Sequence, residues 1–265
     1  MKALIAIYTC GRPKYKERIQ TLQETWIPLA APGTDIRFFD GERLGVPDDY
    51  FFLPQKTKAL CKYALQHGYD YMLKVDDDTY IHPDRLALPD ADYAGIFIKA
   101  NDCGFPPRFP NSPKGTHPFD YASGGAYWLS RRAMEIVVDA EIDDWAEDRW
   151  VGQALARQGI KLKALPDYLF FQEFSIEPYL RREFTLLTQI PSSAQLRLYH
   201  QKYALKTPHM FDVSREEFRS LQEQVELLAE RLLKFRQASP QGLDERLSAL
   251  ERRIAKYNQG APHKI

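Results

Sequence analysis

The sequence is short of cysteine, of long apolar runs and of net charge. Cys10, Cys61 and Cys103 are an odd set without metal-site spacing, which is typical of reduced thiols in a cytoplasmic protein. Basic and acidic residues both number 36, so the net charge is zero and no global nucleic-acid or anionic-membrane surface is indicated. No apolar run is long enough for a signal peptide or a membrane span. We therefore expect a soluble, cytoplasmic protein with no membrane span.

Two common nucleotide-binding motifs are also absent. The sequence contains neither G-x-G-x-x-G nor G-x-x-x-x-G-K-[ST], which argues against a dinucleotide-binding fold and against a P-loop. A length of 265 residues is nevertheless enough for one large α/β domain and an appendage.

Strand-like and helix-like segments alternate along the first part of the chain. Apolar runs predict strands at 3–8, 35–39, 70–75 and 92–100, and helical spacing predicts helices at 56–68 and 146–159. Such alternation is typical of a mostly parallel sheet with helices on both faces. We expect this α/β domain to extend over residues 1–212.

The C-terminal part has a different pattern. Apolar residues between 218 and 257 recur in steps of three and four, the spacing of a heptad seam, with Ser239-Pro240 as a break. Residues 213–265 therefore predict a helical hairpin. Because short heptad runs are marginal alone, this hairpin either covers the first domain or forms a homo-oligomer with a second copy.

Three consecutive carboxylates, Asp76, Asp77 and Asp78, follow an apolar strand. Ligands of open parallel sheets bind outside the carboxyl ends of the strands. Clustered carboxylates there suit Mg²⁺ or Mn²⁺, which in turn hold phosphate oxygens. The alternative is a solvated acidic turn, or a helix cap before Pro83.

A basic turn follows the first strand. Residues 9–16 contain Arg12, Lys14 and Lys16 at the position where a nucleotide would meet the sheet. Cations there would attract a diphosphate, although a solvated basic turn fits the same residues.

The segment YASGGAYWLS at 121–130 has two adjacent glycines. Gly124 and Gly125 predict a turn at which the backbone approaches a ligand closely, followed by a helix capped by Ser130. Tyr127 and Trp128 offer a flat apolar surface that suits a sugar face, or they belong to the core.

Two acids, Glu147 and Asp148, open the helix predicted at 146–159. They either compensate the helix dipole or aim a carboxylate base into a cleft.

Taken in order, five stretches resemble glycosyltransferase family 31, and most closely its Fringe-like and core β1,3-galactosyltransferase members. The resemblance covers about residues 1–166. The stretches are YTCGRPKYKERIQTLQETW (8–26), KTKAL (56–60), LKVDDDTYI (73–81), YASGGAYWLSRRAM (121–134) and EDRWVGQALARQGI (147–160).

The resemblance implies a GT-A, Rossmann-like fold and a metal-dependent, inverting transfer of a hexose-type sugar. The donor would be a nucleotide sugar, commonly UDP-linked, and the metal Mn²⁺ or Mg²⁺. The acceptor would be a hydroxyl of a carbohydrate or of another molecule, with a β1,3 linkage. Because the chain has no anchor like that of Golgi-type relatives, a bacterial or viral setting is expected.

The resemblance also assigns residues. Asp148 would be the catalytic base, and Asp76 and Asp78 would border the metal and the donor diphosphate. The donor would also contact the remaining candidates, which are Thr9, Arg12, Lys56, Asp77, Gly124 and Gly125.

One family feature is missing from its expected place. The family supplies a metal-ligating histidine soon after the Glu-Asp helix, but YLFFQEFS at 168–175 has none. We predict His200 as the replacement ligand, with His209 or the region of Gln172 as alternatives.

Two other classes fit parts of the pattern. A nucleotidyltransferase would also use strand-end aspartates and a divalent ion, but it would release pyrophosphate rather than UDP. A non-catalytic carbohydrate-binding or scaffold protein with a decayed site would explain the missing histidine. The complete aspartate triplet and the intact Glu-Asp pair argue against that class.

Overall fold

The structure is a computed structural model, and it describes residues 1–100, 118–172, 176–180 and 183–206. The strands are β1 Ala3–Tyr8, β2 Asp35–Phe39, β3 Tyr71–Asp76, β4 Tyr80–Ile81, β5 Tyr93–Ile98, β6 Tyr121–Ser130, β7 Lys163–Ala164, β8 Tyr168–Phe170 and β9 Leu186–Thr188. The helices are α1 Pro13–Glu24, α2 Gly41–Leu44, α3 Leu53–Gln66, α4 Arg131–Asp139, α5 Glu147–Arg157, α6 Glu177–Leu180 and α7 Ser193–Lys206.

Six strands form the central sheet in the order β2-β1-β3-β6-β5-β7. All neighbours pair in parallel except those of β6, which runs antiparallel to both β3 and β5. The predicted α/β fold with a mostly parallel sheet is therefore confirmed, and its architecture is that expected of a GT-A, Rossmann-like fold.

Alternation along the strands divides the core into two layers. On one face, Leu4 and Met72 pack with residues of α3, α4 and α5, such as Leu60. On the other face, Leu73 packs with α1 and α7 and with a small second sheet of β4, β9 and β8. Because side chains alternate with a period of two, Lys74 and Asp76 of β3 lie on the same face as Met72, toward α3 and α5.

The glycine pair does not form the turn that the sequence predicted. Residues 121–130 are one continuous strand, β6, with Gly124 and Gly125 in its middle. A Cβ on Gly125 would lie 2.7 Å from Thr188 Oγ1, so this glycine lets the second sheet approach β6. The glycines thus mark a close approach between chain segments, which is the other common reason for glycine in a strand.

The end of the same segment matches its prediction. The hydroxyl of Ser130 accepts a hydrogen bond from the backbone N–H of Ala133 at 3.2 Å and caps α4. The helix predicted at 56–68 is α3, which begins three residues earlier, and Gly68 follows it with φ +73°.

The predicted hairpin at 213–265 and the domain boundary at 212 lie outside the described residues, as does most of the proline-rich loop. No helix in the described ranges has both the length and the apolar character needed to cross a bilayer.

Candidate active site

A cleft lies at the sheet edge where β1 and β3 end. Tyr8 and Asp76 are in register there, since the two strands pair in parallel. The cleft has a volume of about 400 Å³. It brings together the sequence-predicted Thr9, Arg12, Lys56, Asp76, Asp77 and Asp78, and it is also lined by Tyr8, Cys10, Tyr15, Arg18, Asp48, Asp49, Tyr50 and Leu53.

Arg18 supplies the counter-charge for the aspartate triplet. Its guanidinium lies 2.8 Å from Asp77 Oδ1 and 3.3 Å from Asp78 Oδ2. Burial raises the pKa of the Asp77 carboxyl, while the hydrogen bond from Arg18 opposes that shift. The Asp77 side chain is almost fully buried, so in this structure it fixes α1 against the end of β3.

Asp78 retains an unmet need for positive charge. Its Oδ1 is buried and has no hydrogen-bond partner among the described residues. Burial and the neighbouring charge of Asp76 raise the pKa of its carboxyl to about 7, despite Arg18. Oxygen ligands suit Mg²⁺ and Mn²⁺, and a magnesium site often has only one or two protein carboxylates beside substrate phosphates. The residues Asp76 and Asp78 therefore fit a divalent cation.

Lys74 links the triplet to the start of α5. Its ammonium donates to Asp76 Oδ1 at 2.7 Å and to the carbonyl of Gly124, and it lies 3.9 Å from Glu147 Oε2. Burial disfavours the charged form, but the carboxylates of Asp76 and Glu147 outweigh that effect and raise the pKa of Lys74. A buried, charged lysine thus connects β3, β6 and α5 at one point.

The two acids of α5 have different surroundings. Glu147 is buried and accepts hydrogen bonds from Thr57 Oγ1 at 2.8 Å and from the hydroxyl of Tyr127. Asp148 is half-exposed and accepts from the backbone N–H groups of Gly124, at 2.9 Å, and Arg149, at 2.8 Å. Burial raises the pKa of both carboxyls. A ligand can therefore reach Asp148, whereas Glu147 is enclosed by its partners.

Lys56 joins the two loops that border the other side of the cleft. Its ammonium donates to the carbonyl of Thr9 at 2.6 Å and to Asp48 Oδ1 at 2.8 Å. The second oxygen of Asp48 accepts from the backbone N–H of Gly11 at 3.0 Å. Lys56 thus holds the turn after β1 in place, and Arg12 of the same turn lines the cleft.

Three sequence-predicted features lie elsewhere than expected. Tyr127 and Trp128 are both buried, on opposite faces of β6, so the proposed sugar-facing surface of these two rings is wrong. Gly124 lies against the acids of α5: a Cβ there would be 3.2 Å from Glu147 Oε2 and 3.4 Å from Asp148 Oδ2.

The predicted third metal ligand, His200, lies on α7. Its Nδ1 is 2.8 Å from the hydroxyl of Tyr80, and the imidazole is half-buried. Among the residues that the structure describes, no group of three histidine, cysteine, aspartate or glutamate side chains is arranged to hold a metal ion. His200 therefore stays a prediction, the backbone N–H of Gln172 donates to Tyr179, and His209 lies outside the described ranges.

Four site residues were not predicted from the sequence: Arg18, Asp48, Tyr50 and the central role of Lys74. The triplet itself demanded a counter-charge, which was the one signal for Arg18. Nothing local marks Asp48, because its partners Lys56 and Gly11 are brought to it by the fold.

No family model matches the chain. The structure is similar to the crystal structure of a glycosyltransferase involved in the glycosylation of the major capsid of PBCV-1. The TM-score is 0.46 and the sequence identity is 12%, over 76% of this chain and 100% of that chain. A likeness at this level assigns neither a family nor an activity, so the resemblance to family 31 stays a prediction.

Proposed function

We propose that this chain is a metal-dependent, inverting glycosyltransferase that moves a hexose from a UDP-sugar to an acceptor hydroxyl. The observation that carries the proposal is one juxtaposition. A cleft with basic side chains and a strand-end aspartate triplet lies beside a ligand-accessible carboxylate, Asp148, at the start of α5. Tyr50 lies between the two: it lines the cleft, and burial followed by the charge of Asp148 raises its pKa to about 12.

Each residue then has a chemical task. Arg12 and the turn after β1 bind the nucleotide part of the donor. Asp76 and Asp78 would hold a divalent cation, which neutralises charge on the departing diphosphate. Lys74 keeps Asp76 and the start of α5 in fixed positions.

Asp148 takes the proton from the acceptor hydroxyl as that oxygen bonds to the anomeric carbon. The bond from that carbon to the diphosphate breaks on the opposite side, and its electron pair leaves with UDP. A raised pKa brings a carboxylate closer to neutrality and makes it a better base. The product therefore has the inverted anomeric configuration.

The test is release of UDP from a panel of UDP-hexoses with Mn²⁺, together with NMR assignment of the product anomer. Asp148→Asn should lower turnover by about 10²- to 10⁴-fold and leave UDP affinity nearly unchanged. Asp139→Asn, on the exposed end of α4, is the matched control. Release of pyrophosphate would instead identify a nucleotidyltransferase, and absence of both UDP binding and turnover would leave the non-catalytic class.

A further inference from the structure

Four aromatic side chains form a surface at the mouth of the cleft. We call Tyr50, Phe51, Phe52 and Trp145 the aromatic platform. The ring of Trp145 lies 5.8 Å from that of Tyr50 and 6.0 Å from that of Phe51, between ring centroids. The platform therefore joins a short turn before α3 to the segment before α5, two parts of the chain that are distant in sequence.

The rings are exposed to an unusual degree. Phe51 is 64% exposed, Tyr50 43% and Phe52 40%. Each large aromatic side chain left in water forgoes the stabilisation that burial would give it. The turn is held in this conformation by its own cap, since Asp49 Oδ1 accepts from the backbone N–H of Phe51 at 3.1 Å. The rings are thus presented to solvent by a capped turn.

The position of the platform defines what it would face. Tyr50 lines the cleft together with Asp76, and Trp145 precedes Asp148 by three residues. An acceptor whose hydroxyl reaches Asp148 must therefore lie beside these rings.

The chemistry of the surface selects one class of acceptor. Aromatic faces bind the C–H face of a pyranose, whose hydroxyls point outward toward hydrogen-bonding groups. Asp49 adjoins the rings in sequence, and Asp148 acts on the phenol of Tyr50. These carboxylates would repel an acceptor that carries its own negative charge.

We propose that the aromatic platform is the acceptor subsite and that it stacks on a neutral pyranose ring. This inference rests on the proposed function and adds to it the chemical class of the acceptor. The acceptor is accordingly a glycan or a simple glycoside rather than an anionic or purely aliphatic molecule.

Saturation-transfer NMR with UDP and Mn²⁺ present tests the proposal. The probes are methyl β-galactoside, methyl N-acetyl-β-glucosaminide and octyl β-glucoside. We expect saturation of ring C–H protons from at least one probe. Phe51→Ala and Trp145→Ala should each weaken that probe about tenfold, the size of one aromatic contact, whereas Trp145→Phe should retain most of the affinity. Leu198→Ala, which removes an exposed apolar side chain from α7, should have no effect.

Three results would overturn the proposal: no ring signal from any probe, ring signals equally strong in both alanine variants, or a signal confined to the octyl chain, which would mark a lipid-binding surface. UDP affinity measured on the same samples separates the two claims. Ring stacking without any UDP binding would support the subsite and refute sugar transfer. UDP binding without ring stacking would refute the subsite alone.

Discussion

The ammonium of Lys74 lies 2.7 Å from the carboxylate of Asp76, and the lysine side chain is only 3% exposed. The same ammonium faces Glu147 at 3.9 Å, so one buried cation holds two carboxylates from different elements. Removing one member of such a group leaves the others charged, buried and unpaired, which costs more than the intact arrangement contributes.

Lys74→Met should therefore lower the free energy of unfolding by about 3–5 kcal/mol at pH 7. Urea denaturation measures this change. The double variant with Glu147→Gln should lose less than the sum of the two single variants, because the second change removes one of the unpaired charges. The exposed Lys62 of α3 provides a control, and Lys62→Met should change stability by less than about 0.5 kcal/mol. A loss below about 1 kcal/mol for Lys74→Met would mean that this ammonium is not the buried link described above.

Lys56→Met should weaken UDP binding by about tenfold or more. The substitution removes the hydrogen bonds that join the turn after β1 to Asp48, each a charge-assisted bond of about 1.5–3 kcal/mol. Titration calorimetry with UDP and Mn²⁺ measures the affinity. Lys58 lies on the same helix but donates to Ala140, so Lys58→Met should bind UDP like the unmodified protein. Equal affinities in the two variants would dissociate Lys56 from the donor site.

Gly152→Ala should lower stability and turnover together. A Cβ on Gly152 would overlap the Cβ of Tyr121 on β6, which is fixed by the strand backbone. Alanine gains about 1 kcal/mol of helix propensity, but overpacking costs about 1–3 kcal/mol or more, so the net effect is a loss. Because α5 carries Asp148 at its first turn, a displaced helix misplaces the base. Thermal unfolding and the UDP-release assay measure both effects, with Gln153→Ala as the control, and a variant with normal turnover would show that α5 need not pack closely on β6.

His82 should make the protein less stable in acid. It is buried, its Nε2 is 2.8 Å from the hydroxyl of Tyr199, and burial followed by the charge of Arg85 lowers its pKa to about 3. An unfolded histidine titrates near pH 6.5, so the unfolded state binds the extra proton first as the pH falls. Stability from this group is complete above pH 6.5 and is lost downward toward pH 3, by about 1.4 kcal/mol per pH unit within that window.

Urea denaturation at pH 7.5, 5.5 and 4.5 tests this sign. His82→Gln should flatten the loss of stability between these values, whereas His67→Gln, on the exposed side of α3, should follow the unmodified protein. A slope unchanged by His82→Gln would assign the acid sensitivity to other groups.

Periodicity was sufficient for most elements of the sheet. The apolar run of β1 and the strand before Asp76 lie where the sequence placed them, because both are buried on two faces and contain few polar residues. Strand β6 was not predicted at its glycines. Glycine favours turns in general, and only the presence of Thr188 against Gly125 explains why the strand continues through it.

The site was predictable where its residues follow strand ends. Asp76 and Thr9 were found in this way, since strand ends share one edge of a parallel sheet. Arg18 and Tyr50 were not found, because a helix and a turn deliver them through tertiary packing. Aromatic residues were misassigned for a related reason: Tyr127 and Trp128 resemble a sugar platform in sequence, but their strand is covered on both faces.

The antiparallel strand β6 has a consequence for how the chain folds. Strand β3 lies between β1 and β6, so three distant segments must meet before the edge that carries Asp76 and Gly124 exists. Pairings between distant segments are slow to form because a long loop must close first. During synthesis β3 leaves the ribosome well before β6, and until then one of its edges is unpaired and open to other chains. The growing chain thus gains its central sheet and its protection against aggregation in the same step.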